Sequence, residues 1–295
     1  MSIRIISIFI FISSTLFAQL PQTQIYYLPM KYQKKNGTFT FGKPERISKK
    51  KGYNNQPSFT PDSKNVLYVT FVDSTNTDIV SYSLKAKELT RITDDSMNVY
   101  SPVVTPDGKW ISCVYGPAQQ LWKYPMGGGT PKPVIKDFDS IGYYCWLNQN
   151  TIASFVLPSP FSLYAHSLLN DTNIAFGLNI GRCLQSLKNE NTVFYVKKKD
   201  SASSFICALQ LTSDAPPQFY TITKTLPAQE DFALMNDGTI LMFSEKKLYK
   251  YNILKDRKWQ YVAAFDDVPV DGFYRLAVAP NQKGLAVVGY KGKKP

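Results

Sequence analysis

Two stretches of the chain, Phe59-Thr60-Pro61-Asp62-Ser63-Lys64-Asn65-Val66-Leu67-Tyr68 and Val104-Thr105-Pro106-Asp107-Gly108-Lys109-Trp110-Ile111-Ser112-Cys113, carry the same pattern of strand, tight turn and strand, with the two aspartates 45 residues apart. In each the proline presets the φ a turn wants and the aspartate can hydrogen-bond back to the local backbone. Gly108 relieves the steric limit at the end of the second turn. The register recurs in weaker form: Asn148 precedes Ile152, Asn189 precedes Val193, Asn236 precedes Ile240 and Asn281 precedes Leu285, each by four residues. Six anchors spaced 45, 41, 41, 47 and 45 residues apart fit either a four-stranded propeller blade or a paired-helix solenoid repeat.

Composition decides between them. After the anchors come short runs rich in β-branched and aromatic residues, Val66 to Phe71, Ile111 to Tyr115, Ile152 to Val156, Val193 to Val196, Ile240 to Phe243 and Leu285 to Val288, none with helical spacing. A second hairpin follows, as in Ile79 to Leu84 before Glu88 to Ile92, and Leu121 to Pro125 before Pro131 to Ile135. Two hairpins per repeat make a four-stranded blade, so the expected fold is an all-β, six-bladed β-propeller with antiparallel blades. The ends of the chain agree. Asn281 is followed by one strand only, while Ile25 to Pro29 and Gly42 to Ile47 read as a blade's second hairpin ahead of the first anchor. Joining the two halves completes a sixth blade and removes two exposed sheet edges.

The repeat Thr-Pro-Asp-Gly-Lys at Thr105 to Lys109, recognisable again at Thr60 to Lys64, resembles that of the TolB-like propellers. The glycine-containing hairpin Pro125 to Pro131 and the blade ending Arg91-Ile92-Thr93 resemble the same family. Leu147-Asn148-Gln149 and Lys188-Asn189-Glu190 depart from its Pro-Asp-Gly. The resemblance implies an exported or periplasmic protein-binding scaffold of the cell envelope. The family's founding member has an additional N-terminal domain for which this chain has no room, so its translocation role is not carried over. Similar propellers cap prolyl-oligopeptidase-type peptidases, but the hydrolase domain those need is not found in the sequence.

At the N-terminus a single cation, Arg4, precedes the apolar run Ile5 to Phe11, with Ser13, Ser14, Thr15 and Ala18 following. This is the layout of a secretory signal peptide over residues 1–18, cut after Ala18, with one propeller domain over 19–295. The apolar run is shorter than the roughly 20 residues of a spanning helix, and no transmembrane segment is expected in the mature chain. Gln19 stands where a lipoprotein needs cysteine. The expected location is periplasmic or secreted. Export permits a disulfide among Cys113, Cys145, Cys183 and Cys207, although buried free thiols are the simpler expectation. The net charge of +12 comes mostly from lysine clusters such as Lys34-Lys35, Lys49-Lys50-Lys51, Lys197-Lys198-Lys199 and Lys246-Lys247. Few arginines and an export signal argue against nucleic acid. The clusters read as solvated hairpin tips, with an anionic surface as a further possible partner.

The catalytic inventory is thin. His166 is the single histidine, no nucleophile-elbow pattern occurs, and no histidine-rich metal site can be built. Asp94-Asp95, Asp266-Asp267 and Glu230-Asp231 read as turn caps, and Gly127 to Gly129 as a hairpin rather than a phosphate cradle. Propellers carry function on loops near the central channel. The connections from one blade to the next offer Asn54, Asn55, Asn98, Tyr100, Asp139, Tyr143, Asn179, Gln229, Glu230, Asp271, Tyr274 and Arg275. Tyrosine, amide and carboxylate groups of this kind suit hydrogen bonding and stacking with a peptide or glycan. The reading is a non-enzymatic scaffold for a protein or peptide partner in the cell envelope, without cofactor or metal. The alternative is a glycan-binding or carbohydrate-active propeller using loop carboxylates.

Overall fold

The computed structural model describes residues 21–72, 76–94, 96–187, 190–200, 203–212 and 215–295; the leader, Asp95 and the anchor Asn189 lie outside them. The chain opens with β1 (Thr23–Gln33), β2 (Thr38–Phe41) and β3 (Glu45–Arg46). Blade 1 follows, with β4 (Asn54–Phe59), β5 (Asn65–Phe71), β6 (Thr77–Ser83) and β7 (Leu89–Arg91), and then blade 2, with β8 (Val99–Val104), β9 (Trp110–Tyr115), β10 (Gln120–Pro125) and β11 (Lys132–Pro133). Blade 3 holds β12 (Ile141–Trp146), β13 (Thr151–Val156), β14 (Ser162–Ser167) and β15 (Thr172–Leu178), and blade 4 holds β16 (Ile180–Ser186), β17 (Thr192–Lys198), β18 (Ser204–Gln210) and β19 (Gln218–Lys224). Blade 5 is β20 (Phe232–Leu234), β21 (Thr239–Ser244), β22 (Lys247–Asn252) and β23 (Gln260–Ala264); β24 (Gly272–Val278) and β25 (Gly284–Tyr290) end the chain. Each blade is an antiparallel meander with its first strand innermost.

Blade 6 closes the ring as the half-hairpins require. β1 pairs with β25 from Thr23↔Tyr290 to Pro29↔Gly284, giving the sheet order β24-β25-β1-β2. The outer strand of this blade is broken at Gly42-Lys43-Pro44, so that β2 pairs with the far half of β1 and β3 with the near half.

Every anchor with a described side chain sits in the turn between the first and second strands. Asp62 Oδ1 accepts from Lys64 N at 3.0 Å and from Thr60 Oγ1 at 2.7 Å, and Asp107 repeats this with Lys109 N at 3.1 Å and Thr105 Oγ1 at 2.5 Å. Those bonds hold both carboxyls below the usual carboxylate range. Asn148 and Asn281 do the same for Asn150 N and Lys283 N. In blade 5 the cap is Asp237 rather than the expected Asn236. Its carboxylate accepts from Thr239 N at 3.1 Å and from the Tyr32 hydroxyl of β1 at 2.5 Å.

Side chains alternate along a strand, and here both faces are buried between neighbouring sheets. Val66 and Tyr68 of β5 pack with Ile25, Ala286 and Val288 of blade 6, while Leu67 between them packs with Val99, Ile111 and Tyr124 of blade 2. The other interfaces follow suit: Val114 and Leu121 with Ile141 and Ile152, Phe155 and Leu163 with Val193 and Cys207, Phe194 and Val196 with Ile240 and Met242, and Phe243 and Leu248 with Leu28 and Phe273. Six apolar layers, one per blade junction, explain why the second strands read as unbroken apolar runs. No disulfide joins the four cysteines, three of which are buried and Cys145 half-buried. Lys34-Lys35 and Lys246-Lys247 lie at the β1–β2 and β21–β22 turns, whereas Lys49 to Lys51 lie on the connection into blade 1. Among the described residues no helix is long and apolar enough to cross a membrane.

Candidate functional site

The innermost strands of five blades, β4, β8, β12, β16 and β24, are interrupted by register shifts. A bulge re-aims a side chain that regular pleating would send elsewhere. Gln56 and Ser101 show the device openly, at φ 55° and 54°, each ahead of a proline, in a region non-glycine residues seldom occupy. Gln56, Ser101, Tyr143, Arg182, Asp231 and Arg275, one from each blade, are among the residues that line a central cavity of about 890 Å³.

These six form the floor of the channel. Arg275 donates from Nη1 to Asn55 Oδ1 at 2.9 Å and from Nη2 to the Tyr143 hydroxyl at 3.1 Å, and its Nε lies 3.6 Å from Asp231 Oδ1. Arg182 grips Asp231 with both Nη2 (2.8 Å) and Nε (3.3 Å), and its Nε lies 3.4 Å from Glu230. Lys198 pairs with Glu230 at 2.9 Å. The Arg275 guanidinium stands over the Tyr143 ring at 4.9 Å, and that of Arg182 over Tyr274 at 5.4 Å. Burial pushes the Asp231 carboxyl up, but Arg182 and Arg275 pull it further down, so it stays ionised below the usual carboxylate range. On the blade 1 side, Ser101 N donates to Gln56 Oε1 at 2.8 Å.

Above the floor the wall is mixed. Trp146 Nε1 donates to Ser112 Oγ at 2.9 Å, Ser186 Oγ donates to the Trp146 carbonyl at 2.6 Å, and Ser58 Oγ donates to the Pro102 carbonyl at 2.6 Å. These bonds stitch neighbouring blades together around the channel. The buried Ser101 Oγ finds no hydrogen-bond partner. Cys145 and Cys183 also line the wall as thiols: burial pushes the first up to about 12, and the second higher still. The cavity extends from the floor to the turns at Pro61 to Ser63, Asn236 and Pro280-Asn281. On the other side of Arg182 a second cavity of about 400 Å³ is lined by Lys198, Thr225, Gln229, Glu230 and Lys294.

Of the loop residues singled out by sequence, Tyr143 and Arg275 line the channel. Asn55 and Tyr274 stand behind Arg275, joined at 2.6 Å through Asn55 Nδ2 and the Tyr274 hydroxyl. Gln229 and Glu230 line the second cavity, where Lys294 Nζ reaches Gln229 Oε1 at 2.5 Å. The others hold loops. Asn54 is fully buried and donates to the Thr23 and Lys50 carbonyls, Asn98 Oδ1 accepts from Thr77 N at 2.9 Å, and Asp271 accepts from Gly292 N at 2.6 Å. Tyr100 packs edge-on to Tyr53, and Asp139 is exposed and accepts from Ser140 Oγ. Asn179 carries φ 58° between β15 and β16. Sequence reasoning passed over Arg182, Gln56 and Ser101. The repeat itself held the signal: Gln56, Ser101, Asp231 and Arg275 each stand six residues before the turn cap of their own blade, and Tyr143 five.

No family model matches the sequence, and no curated protein matches it. Among solved structures, the putative TolB from Agrobacterium tumefaciens superposes with a TM-score of 0.66 at 12% identity, over 92% of this chain and 99% of that one. TolB from Acinetobacter baumannii gives 0.58 at 12% identity over 92% of this chain. The fold is a TolB-like six-bladed β-propeller. The chain spans 64% of the length of the Acinetobacter protein. An oligogalacturonate lyase in complex with manganese shares the architecture, with a TM-score of 0.50 at 12% identity over 93% of this chain and 98% of that one. At these identities the likeness is one of fold. Among the described residues no group of three or more His, Cys, Asp and Glu side chains is placed to hold a metal ion.

Proposed function

We propose that the chain is an exported, non-enzymatic scaffold that takes an extended segment of an envelope protein into its central channel. The observation that carries this reading is a roomy channel whose charged floor is locked in mutual pairs. A general acid or base needs a proton free to move near neutral pH, but Asp231 is held ionised between two arginines. The wall thiols are kept protonated, and a nucleophilic cysteine needs the reverse. What the channel does offer suits a peptide: the Trp146 and Tyr143 rings and the amides of Gln56 and Gln185.

The test is affinity capture from an envelope extract with the native protein and with Gln185→Trp, which adds an indole at the channel wall and whose melting curve is compared with that of the native protein. A protein partner retained by the first and lost by the second is the expected result. Capture that Gln185→Trp leaves unchanged would move the site elsewhere. The second reading, a glycan-binding or carbohydrate-active propeller, is favoured by the aromatic and polar wall and by the architecture shared with the lyase. Turnover of an acidic oligosaccharide that disappears in Asp231→Asn would establish it in place of the scaffold.

A further inference from the structure

Cations outnumber anions among the ion pairs of the channel floor. Arg182, Arg275 and Lys198 meet Asp231 and Glu230 there, and Glu230 and Lys198 line the second cavity rather than the channel. On the channel side, two arginines therefore share one carboxylate. That carboxylate is also the better hidden: Asp231 is 4% exposed, against 20% and 14% for the side chains of Arg182 and Arg275, which line the cavity with it. A guanidinium carries five N–H groups. Arg275 directs one from Nη1 to Asn55 and one from Nη2 to Tyr143, both neutral, while its Nε lies 3.6 Å from Asp231, beyond hydrogen-bonding distance. A half-buried cation with neutral acceptors and a shared counter-ion is stabilised by a further anion.

The channel is also closed at this end. Arg182 lines both cavities and stands between them, so a polypeptide cannot run through without breaking the Arg182–Asp231 pair. A space of about 890 Å³ is of the size that takes one small ligand, which leaves room for a few residues of a single strand and not for a loop that turns back. A chain end fits this shape. Two or three residues along the inner strands from the floor, Val103, Trp146, Leu234 and Val278 give the wall half-buried apolar surface. Asp62 and Glu190, the acids that line the cavity at its turns, stand in solvent, where their charge is screened.

We infer that the channel receives the C-terminal end of its partner, with the α-carboxylate seated against Arg275 and Arg182, which rests on the scaffold reading above and fixes the direction of entry. An N-terminal ammonium would meet two guanidinium groups instead. The apolar residues before the carboxylate lie along Val103, Trp146, Leu234 and Val278. An acidic side chain in mid-segment has the charge but not the shape, because the chain would have to continue past the floor.

Three pools of short random peptides, passed over the immobilised protein, test this. The first lacks Asp and Glu and ends in a free carboxylate, the second has the same sequences ending in an amide, and the third has amides with one internal Glu. The third carries the charge of the first and so controls for attraction to the lysine clusters. The native protein is expected to retain the free acids at least about tenfold over either amide pool. Gln185→Glu sets a carboxylate on the half-buried wall without altering the floor and should reduce that preference; Gln185→Lys should raise it. Arg275→Gln should abolish it, and melting curves verify that each variant folds, the Gln185 pair deciding if Arg275→Gln does not. Equal retention of free acids and internal-Glu amides overturns the inference, as does retention of no pool or a preference that the variants leave unchanged. In each of those cases, a protein partner captured from the extract and lost with Gln185→Trp still upholds the scaffold reading.

Discussion

His166 shows how far a residue's meaning depends on its surroundings. Its Nε2 lies 2.7 Å from Ser154 Oγ and its Nδ1 lies 2.7 Å from Asn173 Oδ1, on three adjacent strands of blade 3. An amide oxygen only accepts, so the proton sits on Nδ1 and Nε2 accepts from the serine. The order of groups imitates a hydrolytic set. Ser154 and His166 are 0% and 1% exposed, however, and neither lines the channel, so the arrangement satisfies buried polar atoms and nothing more. Burial pushes the His166 pKa down, with the Asn173 bond acting the other way. The unfolded chain, with its histidine near the ordinary value of about 6.5, therefore takes up a proton first as pH falls. The stability His166 contributes is complete above that value and is lost as pH drops from it toward the lower folded value. Urea midpoints measured from roughly pH 7 to pH 5 should fall in the native protein and change less in His166→Gln, and since the chain has no second histidine the difference is assignable to this ring.

At the scale of elements, ring closure rests on one strand pair. β25 presents Gly284 where a Cβ would stand 2.4 Å from the Tyr27 ring of β1, so glycine there admits the close approach of two strands from opposite ends of the chain. Gly284→Ala should cost about 1–3 kcal/mol by overpacking, read as a lowered thermal midpoint, and should fray blade 6 before the others by hydrogen exchange. The closure was legible because half a blade stood at each end of the sequence. The identity of the blade 5 cap was not. Asn236 and Asp237 are both competent turn residues, and the choice falls to Asp237 because the Tyr32 hydroxyl meets it from β1. No local signal carries a contact with a residue so far away along the chain.

On the scale of the whole molecule, Asp231 ties blades 4, 5 and 6 at the channel floor through Arg182 and Arg275, and Arg275 extends the tie to Asn55 of blade 1 and Tyr143 of blade 3. Removing one partner of a buried ion pair leaves uncompensated charge. Asp231→Ala should destabilise the fold by about 3–5 kcal/mol, measured by equilibrium unfolding. Replacing the exposed carboxylate Asp139, which accepts only from Ser140, should change little. The six-blade count, the β class and most of the turn chemistry followed from the repeat, but the pairing of charges at the floor did not.

What the sequence determined alone is whatever repeats or is local: the period, the turn caps at Asp62 and Asp107, the apolar strand runs after the anchors, and the halves that join in blade 6. These depend on residues a few positions apart, or on a pattern copied along the chain. Which of the polar residues that the repeat places on the channel pair with one another was decided only by the tertiary structure. The bulges that turn Gln56 and Ser101 inward, and the pairing of Arg182 with Asp231 from the next blade, arise when six sheets converge on one axis. Charges far apart in the chain are thereby brought within reach of each other.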